Sequence, residues 1–193
     1  MFKKIYLERS GCYGACPIYS VEVNRDGRLK WIGEMFVSYV GETSYQVSNK
    51  KLQKLERLLK EFDYRNYKKE CGGLFATDQS NCITRVEFVD GFVKEIDHYL
   101  GEMDETPNDA KYSMKNLEKF EQKLESIMGV RQLVRQTLYL YHLFAVKDGL
   151  EAIVSAPNQK SAKRLIDGKQ TFEIKKIGKD TTEALHPYVV LKK

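Results

Sequence analysis

The spacing of apolar and polar positions changes several times along the chain, and each change marks an element. Residues 3–8 alternate, with Ile5 and Leu7 apolar, and predict a short strand. Residues 18–24 alternate again, Asp26-Gly27 interrupts them, and an apolar segment follows at 29–32, which predicts a hairpin. An Asp-Gly pair suits a type I′ turn, in which both central residues take positive φ. Phe36, Val37, Tyr39, Val40, Tyr45 and Val47, broken at Gly41, predict a further strand pair or one bent strand. The period then lengthens. Leu52, Leu55, Leu58, Leu59 and Phe62 recur at helical spacing among lysines and an arginine, and Ser48 is placed to cap that helix with its hydroxyl.

Residues 63–81 are polar, hold Cys71-Gly72-Gly73, and are long for a connection, which favours a functional or mobile loop over an idle one. A second Asp-Gly pair, Asp90-Gly91, joins strands expected at 82–88 and 92–100. Met114, Leu117, Phe120, Leu124, Ile127 and Met128 form the stripe of a second helix, with Ser113 as its cap and Gly129 suited to the left-handed position that ends it. Residues 130–136 read as helical and basic. The remainder reads strand (138–146), Asp148-Gly149 turn, strand (152–155), a short helix opened by Pro157 and stopped by Gly168, then strands around Phe172 to Ile177 and Tyr188 to Leu191. The expected fold is therefore α+β: an antiparallel sheet built from Asp-Gly hairpins with two packed helices at 1–129, plus a small ββαββ module at 137–193.

Composition narrows the class without naming a function. The chain has 193 residues, 42% hydrophobic and 31% charged, as an ordinary globular protein does. The amino terminus begins with positive charge, but Glu8 and Arg9 arrive before any signal-like apolar stretch, so no secretion signal is read. The longest apolar run, 139–146, contains His142 and falls far short of the roughly 20 residues that cross a bilayer. A cytoplasmic protein with no membrane contact is expected. Four cysteines then favour free thiols, a metal site or a transient redox pair over permanent disulfides. The net charge is +5, and residues 138–193 carry 10 Lys/Arg against 6 Asp/Glu. That excess suits an acidic partner but is short of a dedicated nucleic-acid footprint.

The densest chemistry lies in Ser10-Gly11-Cys12-Tyr13-Gly14-Ala15-Cys16-Pro17-Ile18-Tyr19, two thiols, two glycines and a proline within ten residues. Cys12 and Cys16 flank a glycine-containing turn that suits a disulfide, a metal or mutual hydrogen bonding. With Cys71 and Cys82 they would make a Cys₄ zinc set, although the wide second spacing is unlike paired knuckles. As a nucleophile or redox pair, Cys12 and Cys16 would need a cation, a histidine or a helix N-terminus to favour the thiolate. Cys16-Pro17 enters a strand, so the helix is missing. The bland reading is that these thiols are structural and the glycines shape a turn. No phosphate-binding or dinucleotide fingerprint occurs.

Other candidates are more dispersed. Thr77, Asp78 and His98 are polar residues at strand or loop ends, where an acid-base pair requires Asp78 and His98 within about 3 Å; a turn for Asp78 and a satisfied edge position for His98 are the plainer readings. Lys160, Lys163, Arg164, Lys175 and Lys176 would meet phosphates or an acidic partner if they gathered on one face of the C-terminal module. Aromatic interleaving is thin there, which disfavours a base-stacking platform.

Gly11, Cys12, Tyr13, Gly14, Cys16, Pro17 and Tyr19, followed in order by Asp26-Gly27, Thr77-Asp78, His98-Tyr99 and Gly101, resemble a family of uncharacterised bacterial domains over residues 5–128. The resemblance implies a fold unit and no reaction. Relatives often carry a proline soon after Thr-Asp, where this chain has Gln79 and Ser80, and Cys71 and Cys82 lie outside the shared pattern. The expected function is a non-enzymatic binding or structural module that recognises another macromolecule, most simply a protein. A cysteine-centred enzyme or thiol-redox protein using Cys12 and Cys16, and nucleic-acid binding through the C-terminal lysines, stand as the alternatives.

Overall fold

A computed structural model describes residues 1–68, 73–74, 76–103, 111–145, 147, 149–166, 171–182 and 184–192. The chain divides into two compact units, Met1–Val134 and Arg135–Lys193.

The first unit is a six-stranded antiparallel sheet with helices on one face. Its elements are β1 (Phe2–Arg9), β2 (Ile18–Asn24), β3 (Arg28–Met35), β4 (Gly41–Gln46), α1 (Asn49–Phe62), a 3₁₀ turn (Tyr64–Asn66), β5 (Gly73–Leu74), β6 (Asn81–Phe88), β7 (Val93–Tyr99), β8 (Glu102–Met103), α2 (Met114–Met128) and α3 (Arg131–Val134). The strand order is β4-β3-β2-β1-β6-β7, and β5 pairs separately with β8. Alternation decides which face is covered. Ile5, Leu7, Val21, Val23, Leu29, Trp31 and Val86 point inward onto Leu55, Leu59, Leu117, Phe120 and Leu124 of the two helices. The opposite face carries ion pairs such as Lys4–Glu22 and Arg85–Glu95, as a wetted face should.

The Asp-Gly hairpins form, but not with the expected turn. Positive φ falls on Gly27 (89°) and Gly91 (85°) and not on the aspartates. Each glycine N–H donates to the carbonyl three residues earlier, Asn24 and Phe88, while the Asp26 and Asp90 carboxylates accept from Arg28 N and Phe92 N. The loop is thus a type I turn followed by a left-handed glycine, and aspartate serves as a side-chain acceptor. Ser113 caps α2 by accepting from Asn116 N, and Gly129 ends it at φ 87°. Ser48 precedes α1 without a side-chain cap bond.

Only residues 41–46 of the expected 35–47 strand region form a new strand, since β3 itself runs to Met35. The connection between them crosses over Gly33, where a Cβ would lie 2.1 Å from the Tyr39 carbonyl oxygen. Residues 63–81 also differ from a plain polar loop, because Tyr64 and Tyr67 are fully buried beside Phe62 and Phe120. Tyr64 Oη is satisfied by donating to Thr84 O at 2.8 Å.

The second unit is the ββαββ arrangement: β9 (Tyr139–Ala145), β10 (Glu151–Ala156), α4 (Gln159–Ile166), β11 (Phe172–Lys179) and β12 (Tyr188–Lys192), in sheet order β11-β9-β10-β12. Tyr141, Leu143, Val154 and Ala156 pack with Ala162 of α4 in a small core of their own. Among the described residues, no helix is long and apolar enough to cross a membrane.

Candidate functional site

The register of the first sheet lines up four polar side chains in one row across its helix-covered face. Arg9 of β1 pairs with Tyr19 of β2 on one side and with Cys82 of β6 on the other, and Cys82 pairs with His98 of β7. Ile5 and Leu7 share Arg9's parity, so an ionic side chain is carried inward where the pattern otherwise places aliphatics. Above the row, α2 contributes Glu121 and Glu125, one turn apart on its buried stripe.

Most of these polar atoms satisfy one another, and Glu121 Oε2 is buried with an ion-pair contact but no hydrogen bond. Arg9 Nε and Nη2 each reach Glu125 Oε1 at 3.0 Å, and Nη1 lies 3.4 Å from Glu121 Oε2. Tyr19 Oη donates to Glu125 Oε1 at 2.6 Å, and His98 Nδ1 donates to Glu121 Oε1 at 2.8 Å. The Arg9, Glu121 and Glu125 side chains retain 14%, 0% and 13% of their exposure. Burial opposes charge on Arg9, but its neighbours Cys82, Glu125, Glu121 and Tyr19 together outweigh it and hold the guanidinium above its ordinary value. The Tyr19 phenol is pushed up by burial and then by Glu125.

Cys82, His98 and Glu121 together resemble a nucleophile, a base and its orienting acid. The chemistry does not follow the resemblance. Cys82 is fully buried, and its thiol is pushed well above the usual range, first by burial and then by the Glu121 carboxylate. A thiolate is the attacking species, and this environment disfavours it. The arrangement sets one guanidinium against two carboxylates and anchors α2 to the end of the sheet.

The loop after β1 sits at that same end. Cys12 and Cys16 are joined as a disulfide, with Cα atoms 5.7 Å apart, which corrects the expectation of free thiols there. The ring is docked by backbone bonds: Tyr13 N donates to Asp78 O at 3.0 Å, Ser10 N to Asn81 O, and Asn81 N to the Ser10 hydroxyl. At its tip Tyr13 is 92% exposed. The register of Ile18 with Met35 brings the β3–β4 connection to this end too. There Val37 is buried as an anchor while Met35, Phe36, Tyr39 and Val40 are exposed. Phe36 adopts φ 54°, a costly conformation for an aromatic residue, and the segment is held by bonds from Ser38 N and Tyr39 N to the carbonyls of Val134 and Leu133.

Several sequence expectations come apart here. The Cys₄ zinc set is not assembled: Cys12 and Cys16 bond each other, Cys82 faces Arg9 and His98 from inside the core, and Cys71 lies outside the described residues. Among the described residues no group of three or more His, Cys, Asp or Glu is arranged to hold a metal. Thr77 and Asp78 are exposed and bond each other at 3.3 Å, whereas His98 is buried against Glu121, so the three make no common site. The C-terminal cations are split as well. Lys160, Lys163 and Arg164 ride on α4, which covers the Tyr141 side of the sheet; Lys176, in register with Tyr141 and stacked on Tyr139, lies on that same side, while Lys175, in register with His142, faces the other. Arg9, Glu121 and Glu125 were the residues to find, and the readable signals were an arginine at an inward strand parity and a glutamate inside a helix's apolar stripe.

A family model described as a domain of unknown function, DUF6438, matches residues 3–127. The chain belongs to the DUF6438 family. The match takes in the disulfide loop and both halves of the buried row, so those features lie inside the DUF6438 domain, and it ends before the C-terminal unit. No curated protein matches the chain.

Proposed function

We propose that the DUF6438 part of this chain is a non-enzymatic protein-binding module that engages its partner through the loop end of the six-stranded sheet. One observation carries the reading: two backbone-anchored loops stand at that end and display Tyr13, Met35, Phe36, Tyr39 and Val40 to solvent, while Arg9, Glu121 and Glu125 beneath are engaged with one another. Exposed apolar groups on preorganised loops lose little entropy on docking, and aromatic residues dominate binding hot spots. A photoreactive phenylalanine analogue placed at position 13 or 39, with position 44 on the far face as control, tests the reading in cells. A defined adduct at 13 and 39 and none at 44 is expected. Equal labelling at all three, or none, overturns it.

A thiol-redox reading has one observation in its favour, the half-buried Cys12–Cys16 disulfide itself. Against it, Arg9 is committed to Glu121 and Glu125 and so is poorly placed to stabilise a thiolate. Reduced Cys12 or Cys16 that alkylates much faster than a model thiol would replace the binding reading. A cytoplasmic location belongs to the same proposal and implies that these thiols are mostly reduced in the cell. A closed ring in protein trapped directly from cells would move it to an oxidising compartment.

A further inference from the structure

α1 and α2 leave a cleft between them on the helical layer. Its floor is apolar, made by Leu58 and Phe62 of α1 and Phe120 of α2, with the two rings stacked at 4.3 Å. It holds about 230 Å³, below the roughly 300–1,000 Å³ of small-molecule pockets and suited to one large side chain. Three lysines and one carboxylate line it: Lys111, Lys119, Lys123 and Glu61. Lys111 is engaged by Asp63 at 2.7 Å. Lys119 and Lys123 stand one turn apart on α2, both exposed, and neither has a carboxylate partner among the described residues. Lysine stems often roof grooves of this kind. Two ammonium groups with no carboxylate partner among the described residues add, beside an aromatic floor, a charge preference that mere roofing does not need.

We propose that this cleft receives a single large apolar side chain from an acidic segment of a protein partner, with Lys119 and Lys123 meeting the carboxylates that flank it. The surface is distinct from the loop end, and neither proposal depends on the other. Apolar contact selects the central residue of such a segment, and the lysines select its charge.

The test titrates the isotope-labelled full chain with three blocked pentapeptides, Glu-Glu-Phe-Glu-Glu, Glu-Glu-Ala-Glu-Glu and Lys-Lys-Phe-Lys-Lys, and follows backbone amide shifts. Saturable shifts at residues 58–62 and 116–123 are expected with the first peptide, and binding about ten-fold weaker with each of the others. The exposed double variant K119E/K123E should keep its spectrum and lose the interaction, and wild-type affinity should fall several-fold as salt rises from about 50 to about 500 mM. Shifts that fail to saturate, that map elsewhere, or that survive in the double variant overturn the proposal. So does decanoate binding the cleft as well as the acidic peptide, which would assign it to a lipid ligand.

Discussion

Arg9 is the point at which the buried row can be tested by a single substitution. Replacing it with methionine keeps most of the aliphatic stem and removes the charge that faces Glu121 and Glu125. Glu121 then retains its bond from His98, and Glu125 its bond from Tyr19, but two carboxylates that are 0% and 13% exposed lose their shared cation. Breaking a buried ion pair from one side costs about 3–5 kcal/mol, and the partial exposure of Arg9 and Glu125 favours the lower end, about 3 kcal/mol. Trp31 is the single tryptophan of the chain and is fully buried in the first unit, so its fluorescence reports the unfolding of that unit. With a urea dependence of about 2 kcal/mol per molar, the midpoint should fall by about 1.5 M. The triple variant Arg9→Met, Glu121→Gln, Glu125→Gln should recover much of the loss, because amides can replace the carboxylates without an uncompensated charge. A loss below about 1 kcal/mol for Arg9→Met alone would refute the argument, since it would mean that the carboxylates are not confined as described.

Cys82 should resist alkylation at neutral pH in the folded chain and react once urea unfolds it, as followed by peptide mapping. Its raised thiol value also means that the unfolded chain ionises first, so the contribution of the neutral buried thiol declines as pH rises above the ordinary range of about 8.5–9. Gly33→Ala should push the β3–β4 connection off the sheet, because the new methyl meets the Tyr39 carbonyl, and should cost about 1–3 kcal/mol in the Trp31 transition. Replacing Cys12 and Cys16 by serine opens a ring of five residues and should lower stability by about 2 kcal/mol on loop-closure grounds. In the second unit, a hydrogen bond from the Ser155 hydroxyl holds the Asp180 carboxyl below its usual range, so it adds stability above the ordinary aspartate value that is lost as pH falls through its folded value. Ser155→Ala should bring the Asp180 titration upward, as read by carboxyl NMR.

Most of the longer strands, both long helices and the ββαββ order were legible because each rests on local periodicity and on short turns. Leu52 to Phe62 can bury its apolar stripe in only one secondary structure, and Gly129 could end α2 from sequence alone. The turn type was not legible. Asp-Gly permits both a type I′ turn and a type I turn with a left-handed glycine, and the choice depends on whether the aspartate carboxylate finds a backbone N–H. Tyr64 and Tyr67 were hidden in a polar stretch because their packing partners, Phe120 for Tyr64 and Tyr112 for Tyr67, come from a distant part of the chain. The site was harder again. Cys12 and Cys16 were visible as chemistry, but what lies beneath them joins β1 to a helix over 110 residues later, and no local pattern encodes that meeting. His98 does stand satisfied on the edge strand β7, but its partner is Glu121 on α2 and not the nearer Asp78, a pairing hidden for the same reason.

The central claim is that the loop end of the sheet recognises a protein while the row beneath it only supports that end. The most direct test measures the affinity of the protein captured at position 13 for wild type and for a Tyr13→Ser, Phe36→Ser, Tyr39→Ser variant, all three exposed positions. The account predicts at least about a ten-fold loss of affinity with the Trp31 unfolding transition little changed. Undiminished affinity in that variant would contradict it.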